Sequence, residues 1–494
     1  MLILDVLARN VAARGVHRFV WHEGQELSYA DLDRRSNRAA RALHELGVAR
    51  GDRVTLALGN CLEWPVAAFG TLKAGGVLQP LNPALGGAEL GYVLRHAEPR
   101  VVLTAAETAQ KIAQAAPAGT QVLVTESFTE RCARESDGPL DVRLSAADAS
   151  TLLYTSGTTG DPKGVLMTHR TSGATGEYFI EALGIRESDT LLAVTPLFHG
   201  NAWGALVTAL RAGATVAFPR AFHASAFWPL VHQSGATVLY TLGTILAMLL
   251  TREPSEPERR NPLRVILGLG SAPVRDRVIE RFGVEHVAEC FGSTDAGVVT
   301  ITPRGTPPRP GSCGPPVGGV EIRIADDAGR ALPPRELGEI TVRSPYGMAG
   351  YFRDAEQTRT ASRDGWFLTG DLGYVDEDGW LYFVDRKKDV IRRGGENVSS
   401  LLIEKTLREH PRVVEAAVIG VADPVLGQEI KAVVVPRGLV SEAELREFAT
   451  ARLAPFQVPR LWEFRDRLPK TPTERVEKYK LRAEDARLDK PLLG

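Results

Sequence analysis

Apolar and polar positions along the first hundred residues fall into two alternating rhythms. From Ser28 the stretch SYADLDRRSNRAARALHELG places its apolar residues at helical spacing, and the short apolar runs RVTLAL and VLQPL follow it. Helices interleaved with short apolar runs are the pattern of helices packed around a largely parallel sheet. The same rhythm returns from Thr190 to Leu269. It stops at PRGTPPRPGSCGPPVGG, Pro303 to Gly319, where prolines without donors and permissive glycines exclude regular helix and central strand. Beyond that rigid loop, VEIRIAD, GEITVRS and GWLYFVD are rich in β-branched and aromatic residues and carry turns such as Asp376 to Gly379, which predicts a β-rich subdomain over about 303–385. The last hundred residues read differently again: EKTLREHPRVVEAAVIGVAD, then EIKAVVVP, then a helix opened by a capping box at Ser441 and Glu444, a separate α+β domain. The polar stretch TREPSEPERRNP, Thr251 to Pro262, reads as a surface loop.

Length and charge narrow the picture. A chain of 494 residues exceeds one ordinary core, so at least two domains are expected. Its 59 Lys and Arg against 60 Asp and Glu leave a formal charge of −1, which gives no general field for nucleic acid or an anionic membrane; a polyanion must be held locally. The opening MLILDVLARNVAARG is too short an apolar run for a signal or a membrane span, and a cytoplasmic location is expected. Cys61, Cys132, Cys290 and Cys313 are widely spaced and form no C-x-x-C pair, the pattern of reduced structural thiols.

The candidate chemistry is concentrated in TLLYTSGTTGDPKGVLMTH, Thr151 to His169, where an apolar strand runs into glycines and hydroxyls and then a lysine. Glycines at 157 and 160 turn backbone N–H groups toward one anion, Thr155, Ser156, Thr158 and Thr159 add hydroxyl donors, and Lys163 adds a full charge. A Walker A loop is excluded, because Lys163 stands between Pro162 and Gly164.

The string YTSGTTGDPKG resembles the phosphate loop of the adenylate-forming superfamily of acyl-CoA synthetases, nonribosomal adenylation domains and luciferases. PLFHGNAW, LGLGSAPV, FGSTDAG, GYF, TGD and DRKKDVIRRGGENVS follow in that superfamily's order over nearly the whole chain. Within it, FHGNAW and RRGGENVS look most like the crotonobetaine/carnitine-CoA ligases. The resemblance implies an α/β architecture with a large N-terminal multi-sheet domain over 1–385, a hinge at 386–388 whose pivot is Lys388, and a small mobile α+β lid over 389–494.

The same resemblance implies the site. ATP would be held by Thr155, Ser156, Gly157, Thr158, Thr159, Gly160, Lys163, Ser271, Ala272, Pro273, Phe291, Gly292, Ser293 and Thr294, with Asp371 and Arg386 at the ribose and Phe291 along the adenine. Thr158 and Asp295 would hold Mg2+. His199, Trp203, Tyr240, Gly268 and Gly270 would border the acyl group, though an ordinary tight turn also accounts for the two glycines and plain core for the two aromatics. Gly394 and Gly395 would line the coenzyme A tunnel. Two positions depart from the pattern. Asp295 stands where relatives carry Glu, and Glu474-Arg475 stands where they carry Gly-Lys, so Arg475 takes the place of the catalytic lysine. Arg keeps the charge but is bulkier and stiffer than an ammonium.

The implied reaction joins a small acid to AMP with release of pyrophosphate and passes the acyl group to coenzyme A. No nucleic acid or membrane partner is expected, and a homodimer is left open. An amine-capturing ligase, a nitrite-activating diazo-forming relative and a nucleotide-binding pseudoenzyme are the alternatives.

Overall fold

The computed structural model describes residues 2–155, 162–272, 274–307, 309–393, 396–470 and 476–488. Their contacts separate into a large unit, comprising described residues within 2–155, 162–322 and 342–367, and a smaller one within 323–341 and 368–488.

The large unit carries two seven-stranded sheets. One runs in the order His286–Ala288, Val265–Leu269, Val238–Leu242, Thr190–Ala193, Thr215–Ala217, Arg18–His22, Gln25–Ser28, parallel up to Arg18–His22 and closed by an antiparallel edge. The other runs Gly350–Tyr351, Lys163–Thr168, Ala149–Thr155, Val77–Pro80, Arg53–Ala57, Val101–Thr104, Gln121–Val124. Its last five strands are parallel, and the two at the Gly350 end are antiparallel. Val77–Pro80, Val101–Thr104 and Thr190–Ala193 are buried throughout, which is why strands of this kind read as short continuous apolar runs rather than alternations. The helix at Tyr29–Glu45 starts on a Ser28 cap that accepts the Asp31 N–H, with Asp31 reaching back to the Ser28 N–H. It meets the helix Glu63–Lys73 at a close approach where a Cβ on Gly70 would lie 2.6 Å from Ala39 Cβ.

The smaller unit contains a sheet with strands Gly338–Arg343, Trp366–Val375 and Leu381–Arg386, and a second sheet built on the long hairpin Val413–Asp423/Gly427–Pro436. Ile403 and Leu407 from the helix Ser400–Arg408, with Leu445 and Ala449 from the helix Glu442–Thr450, close its core against Val418, Ile430 and Val434. The α/β architecture with one large and one small body is the one expected.

Two local readings need correction. Thr251–Pro262 is not simply a surface loop: a turn of helix at Glu256–Arg259 buries Glu258, whose carboxylate takes Arg281 Nε at 2.7 Å and an Arg281 terminal nitrogen at 3.0 Å. Ser441 does cap its helix, but Glu444 does not complete the box; it turns instead to the Arg412 guanidinium at 2.8 Å, a charge-assisted contact, and to His410 at 3.3 Å. No disulfide joins any of the four cysteines, and burial pushes the Cys61 and Cys132 thiols up to about 12, so both stay protonated at neutral pH. Among the described residues no helix is long and apolar enough to cross a membrane.

Candidate active site

Two described strands flank the candidate phosphate-loop motif. Ala149–Thr155 pairs antiparallel with Lys163–Thr168, and the register ends on Thr155 opposite Lys163. The intervening Ser156, Gly157, Thr158, Thr159 and Gly160 lie outside the described residues. Lys163 therefore leaves the sheet at its first residue. Among the described residues no carboxylate pairs with its ammonium, which instead sits 5.2 Å from the centroid of the Tyr351 ring.

FGSTDAG forms a hairpin, Cys290–Ser293 against Gly297–Ile301. Its tight turn is closed by Ser293 Oγ, which accepts the Ala296 N–H at 3.0 Å. Both glycines are required: a Cβ at Gly292 would meet the Gly297 carbonyl at 2.5 Å, and Gly297 has φ +73° beside the Tyr346 carbonyl. Thr294 and Asp295 thus stand at the hairpin tip and Phe291 on its first strand. The Asp295 carbonyl accepts the Met348 N–H at 2.8 Å.

Glu289, which the motifs did not single out, organises the neighbouring loop. Its buried carboxylate accepts the N–H of Gly270 at 2.7 Å, of Ala272 at 2.9 Å and of Cys290 at 3.2 Å, and the Ser271 hydroxyl at 3.3 Å. Burial pushes this carboxyl up and those donors pull it back. One side chain therefore ties Ser271 and Ala272 to the strand that carries Phe291. Pro273 lies outside the described residues. Gly270 takes φ +73°, a turn conformation, and a Cβ on Gly268 would meet Ser271 Cβ at 2.9 Å, so turn geometry and packing account for both glycines.

His199 precedes the helix Gly200–Ala212 and packs its ring 4.5 Å from that of Phe198. The segment before it is pinned by buried Asn60, whose carbonyl takes the Leu197 N–H at 2.7 Å and whose amide donates to the Pro219 carbonyl at 2.8 Å. Trp203 lies 5.6 Å from Trp64 and 6.3 Å from Phe69, and Tyr240 lies 5.5 Å from Phe179, ring centroid to centroid; both belong to buried aromatic clusters.

In the smaller unit Asp371 and Arg386 are register partners on adjacent strands, with Arg386 Nε 3.5 Å from the Asp371 carboxylate. Gly370, at φ +71°, and the bond from Lys387 N–H to the Gly370 carbonyl at 2.9 Å shape this corner. Lys388 is exposed, yet the chain density around its ammonium, with Arg386 and Arg482 adding like charge, pulls its pKa down to about 8; Asp389 and Asp371 oppose the shift. Gly394 and Gly395 lie outside the described residues.

Residues 7–352 match the family model described as AMP-binding enzyme, and residues 402–475 the model described as AMP-binding enzyme C-terminal domain. The chain belongs to the AMP-binding enzyme family. It is 34% identical over 484 residues to a crotonobetaine/carnitine–CoA ligase of Salmonella paratyphi B, with 93% of each chain covered. ATP-bound MatB from Rhodopseudomonas palustris is similar at TM-score 0.91 and 31% identity over 99% of this chain and 100% of that one. The anthranilate CoA ligase AuaEII in complex with anthranoyl-AMP is similar at TM-score 0.91 and 28% identity over 99% and 98%.

The departure of this AMP-binding enzyme at Arg475 raises the question of whether a neighbouring lysine replaces the missing one. Thr471, Pro472, Thr473, Glu474 and Arg475 lie outside the described residues, but the lysines around them do not. Lys470 is paired with Glu415, Lys478 with buried Glu404 at 2.7 Å, and Lys480 with Glu477 at 2.5 Å. Lys478 also donates to Ser400 Oγ at 2.7 Å, and Ser400 donates to buried Asp385 at 2.8 Å. Each of these ammonium groups is already neutralised. Of the residues that sequence reasoning missed, Glu289 had one signal, a lone acid inside the apolar run HVAEC, whereas Asn60 had none; Tyr351 enters only as part of the GYF motif.

Proposed function

We propose that the chain activates a small carboxylic acid with ATP as acyl-AMP, releasing pyrophosphate, and then transfers the acyl group to coenzyme A, releasing AMP. The observation that carries the nucleotide site is Lys163: a cation at the start of the strand that follows the glycine- and hydroxyl-rich segment, paired with no described carboxylate, beside an acidic turn at Asp295. A site for a polyanion requires uncommitted positive charge. In this reading Lys163 binds phosphate oxygens together with the hydroxyls of Thr155, Ser156, Thr158 and Thr159. Ser271, Ala272 and Pro273 with Phe291 to Thr294 border the adenine. Asp371 accepts the ribose hydroxyls and Arg386 faces them.

The donor set suits Mg2+. Among the described residues no group of three His, Cys, Asp or Glu side chains gathers to bind a metal, and Mg2+ in nucleotide sites takes one or two carboxylates with the rest of its shell from phosphates and water. Asp295, with the Thr158 hydroxyl, would hold it. When bound, it neutralises charge that accumulates on the phosphates.

The acid's carboxylate is already ionised and attacks the α-phosphorus without a base; the P–O bond to pyrophosphate breaks, and the chain's task is alignment and charge compensation. Arg475 supplies the cation between carboxylate and α-phosphate. His199, with Trp203, Tyr240, Gly268 and Gly270 behind it, borders the acyl group. Lys388 is the pivot, and Gly394 and Gly395 border the pantetheine path in the thiol step, in which the thiolate attacks the acyl carbon and AMP leaves.

Incubating the enzyme with ATP and a panel of acids, with and without coenzyme A, tests the reading. Acid-dependent pyrophosphate release in both conditions, with a thioester formed only when coenzyme A is present, is the expected result. Pyrophosphate release with an amide or diazo product would transfer the reading to another acceptor or oxyanion. No acid- or nitrite-dependent pyrophosphate release would leave a nucleotide-binding pseudoenzyme.

A further inference from the structure

Residues 385–389, which lie in the smaller unit, run between two sets of anchors. Before the pivot, Leu381–Arg386 is fixed in its sheet, with Leu372 opposite Asp385 and Asp371 opposite Arg386. Lys387 is held on the same side: its ammonium meets Asp327 and Glu339 at 2.9 Å each, and its N–H donates to the Gly370 carbonyl. Beyond the pivot, Asp389 takes Arg482 of the helix Lys478–Leu488 at 2.7 Å. Lys388 alone stands between these anchors. The buried carboxylate of Asp385 crosses the gap. One of its oxygens accepts the Arg386 N–H at 2.7 Å. The other reaches the start of the helix Ser400–Arg408, where it accepts the Ser399 hydroxyl at 3.1 Å, the Ser400 hydroxyl at 2.8 Å and the Leu401 N–H at 3.1 Å. The Ser399 hydroxyl also lies 3.3 Å from the Val384 carbonyl.

We propose that Asp385 is a positioning residue that latches the hinge: its carboxylate ties the strand before the pivot to the helix after it, and the chain turns about Lys388 only when this contact opens. The inference rests on the reading of Lys388 as the pivot of a two-step ligase. The physical case is the match of donors to acceptor. The first turn of a helix presents N–H groups with no partner inside the helix, together with partial positive charge. Ser399 takes the Leu402 N–H at 3.2 Å, and Asp385 takes that of Leu401. Among the described residues no cation pairs directly with Asp385; Lys478 reaches it only through the Ser400 hydroxyl, at 2.7 Å from that oxygen. Hydroxyls and one N–H are donors that water can replace when the chain swings, so the latch is firm without being permanent. Contacts of this kind, made in one pose and lost in the other, are what set the populations of a two-pose hinge.

Brief digestion of the native protein with trypsin, which cleaves after Arg386, Lys387 and Lys388, reads how often this segment opens. Asp385→Asn keeps the shape and removes the charge; cleavage at 386–388 should rise about tenfold, the scale of a lost hydrogen bond to a charged group. Ser400→Ala, a milder change, should raise it about threefold, and the double variant should rise by less than the product, since both act through one contact. The two half-reactions, acid-dependent pyrophosphate exchange and transfer from preformed adenylate, should then move in opposite directions in Asp385→Asn, because releasing a latch fills one pose at the expense of the other. Unchanged cleavage at 386–388, equal acceleration at sites across the smaller unit, multiplicative effects in the double variant, or half-reactions that fall together would each overturn the proposal; the last is what a merely structural role gives. A wild-type chain with neither half-reaction removes the ligase reading before any variant is made, and the digestion still decides whether Asp385 latches the segment.

Discussion

Two lysine environments in this chain have opposite designs. Lys163, in the large unit, faces an aromatic ring and no described carboxylate. Lys470, Lys478 and Lys480, in the smaller unit, each meet one, and Lys478 is the anchor of a chain of contacts from Asp385 through Ser400 to Glu404. Arg482 and Lys431 extend the same pattern, pairing with Asp389 at 2.7 Å and Asp485 at 2.5 Å. The contrast separates two uses of one residue type. Paired ammonium groups dock the C-terminal helix Lys478–Leu488 on its own unit; an unpaired one is available to a ligand. Lys470, Lys478 and Lys480 lie near the position where relatives carry the catalytic lysine, but none at it, and each is held by a carboxylate of its own unit.

The largest expected effect breaks the paired side. Lys478→Ala leaves Glu404 buried and uncompensated, where burial pushes its carboxyl up and Lys478 draws it down, and should destabilise the smaller unit by about 3–5 kcal/mol. Hydrogen exchange along Val413–Asp423, whose Val418 N–H donates to Glu404 at 2.8 Å, reads this directly. Replacing both partners, as Glu404→Leu with Lys478→Met, should recover most of the loss.

Next is Arg475, proposed above as the cation between the acid's carboxylate and the α-phosphate and lying outside the described residues. Arg475→Ala should slow formation of the acyl adenylate by about a hundredfold or more while transfer from preformed adenylate survives, and Arg475→Lys should keep more activity than alanine. Normal adenylation by Arg475→Ala would dissolve the comparison, because a lysine that is paired here would have to be released during turnover.

Lys163→Ala tests the unpaired side. It should cost about 1.5–3 kcal/mol in ATP affinity, or about ten- to a hundredfold, with little change in melting temperature, since no described ion pair is lost. A stability loss with unchanged ATP affinity would reverse the assignment.

The smallest effect concerns Lys388. Its pKa of about 8 lies below the ordinary 10.5, so between those values the unfolded chain binds the extra proton and folding stability should rise with pH across that window. Lys388→Met should flatten that rise, and a dimethylated-lysine NMR titration should show one resonance with a midpoint near 8. A midpoint near 10.5 would place Lys388 in ordinary solvent.

Contiguous chemistry was legible before any folding was considered. The alternating helical and apolar rhythms announced the α/β body because helix and strand periods are written locally. YTSGTTGDPKG was legible as a candidate phosphate loop because glycines and hydroxyls must sit at adjacent positions to surround one phosphate. Local reading failed where a distant partner decided the outcome: Glu258 was drawn out of a surface loop by Arg281, and Glu444 away from its helix cap by Arg412 and His410. The tertiary structure alone put the Tyr351 ring beside the Lys163 ammonium, Glu289 under the 270–272 loop, and Glu404 against Lys478. Each of these contacts joins residues on different elements, and their energy depends on burial and on distances of a few ångströms, neither of which residue order encodes.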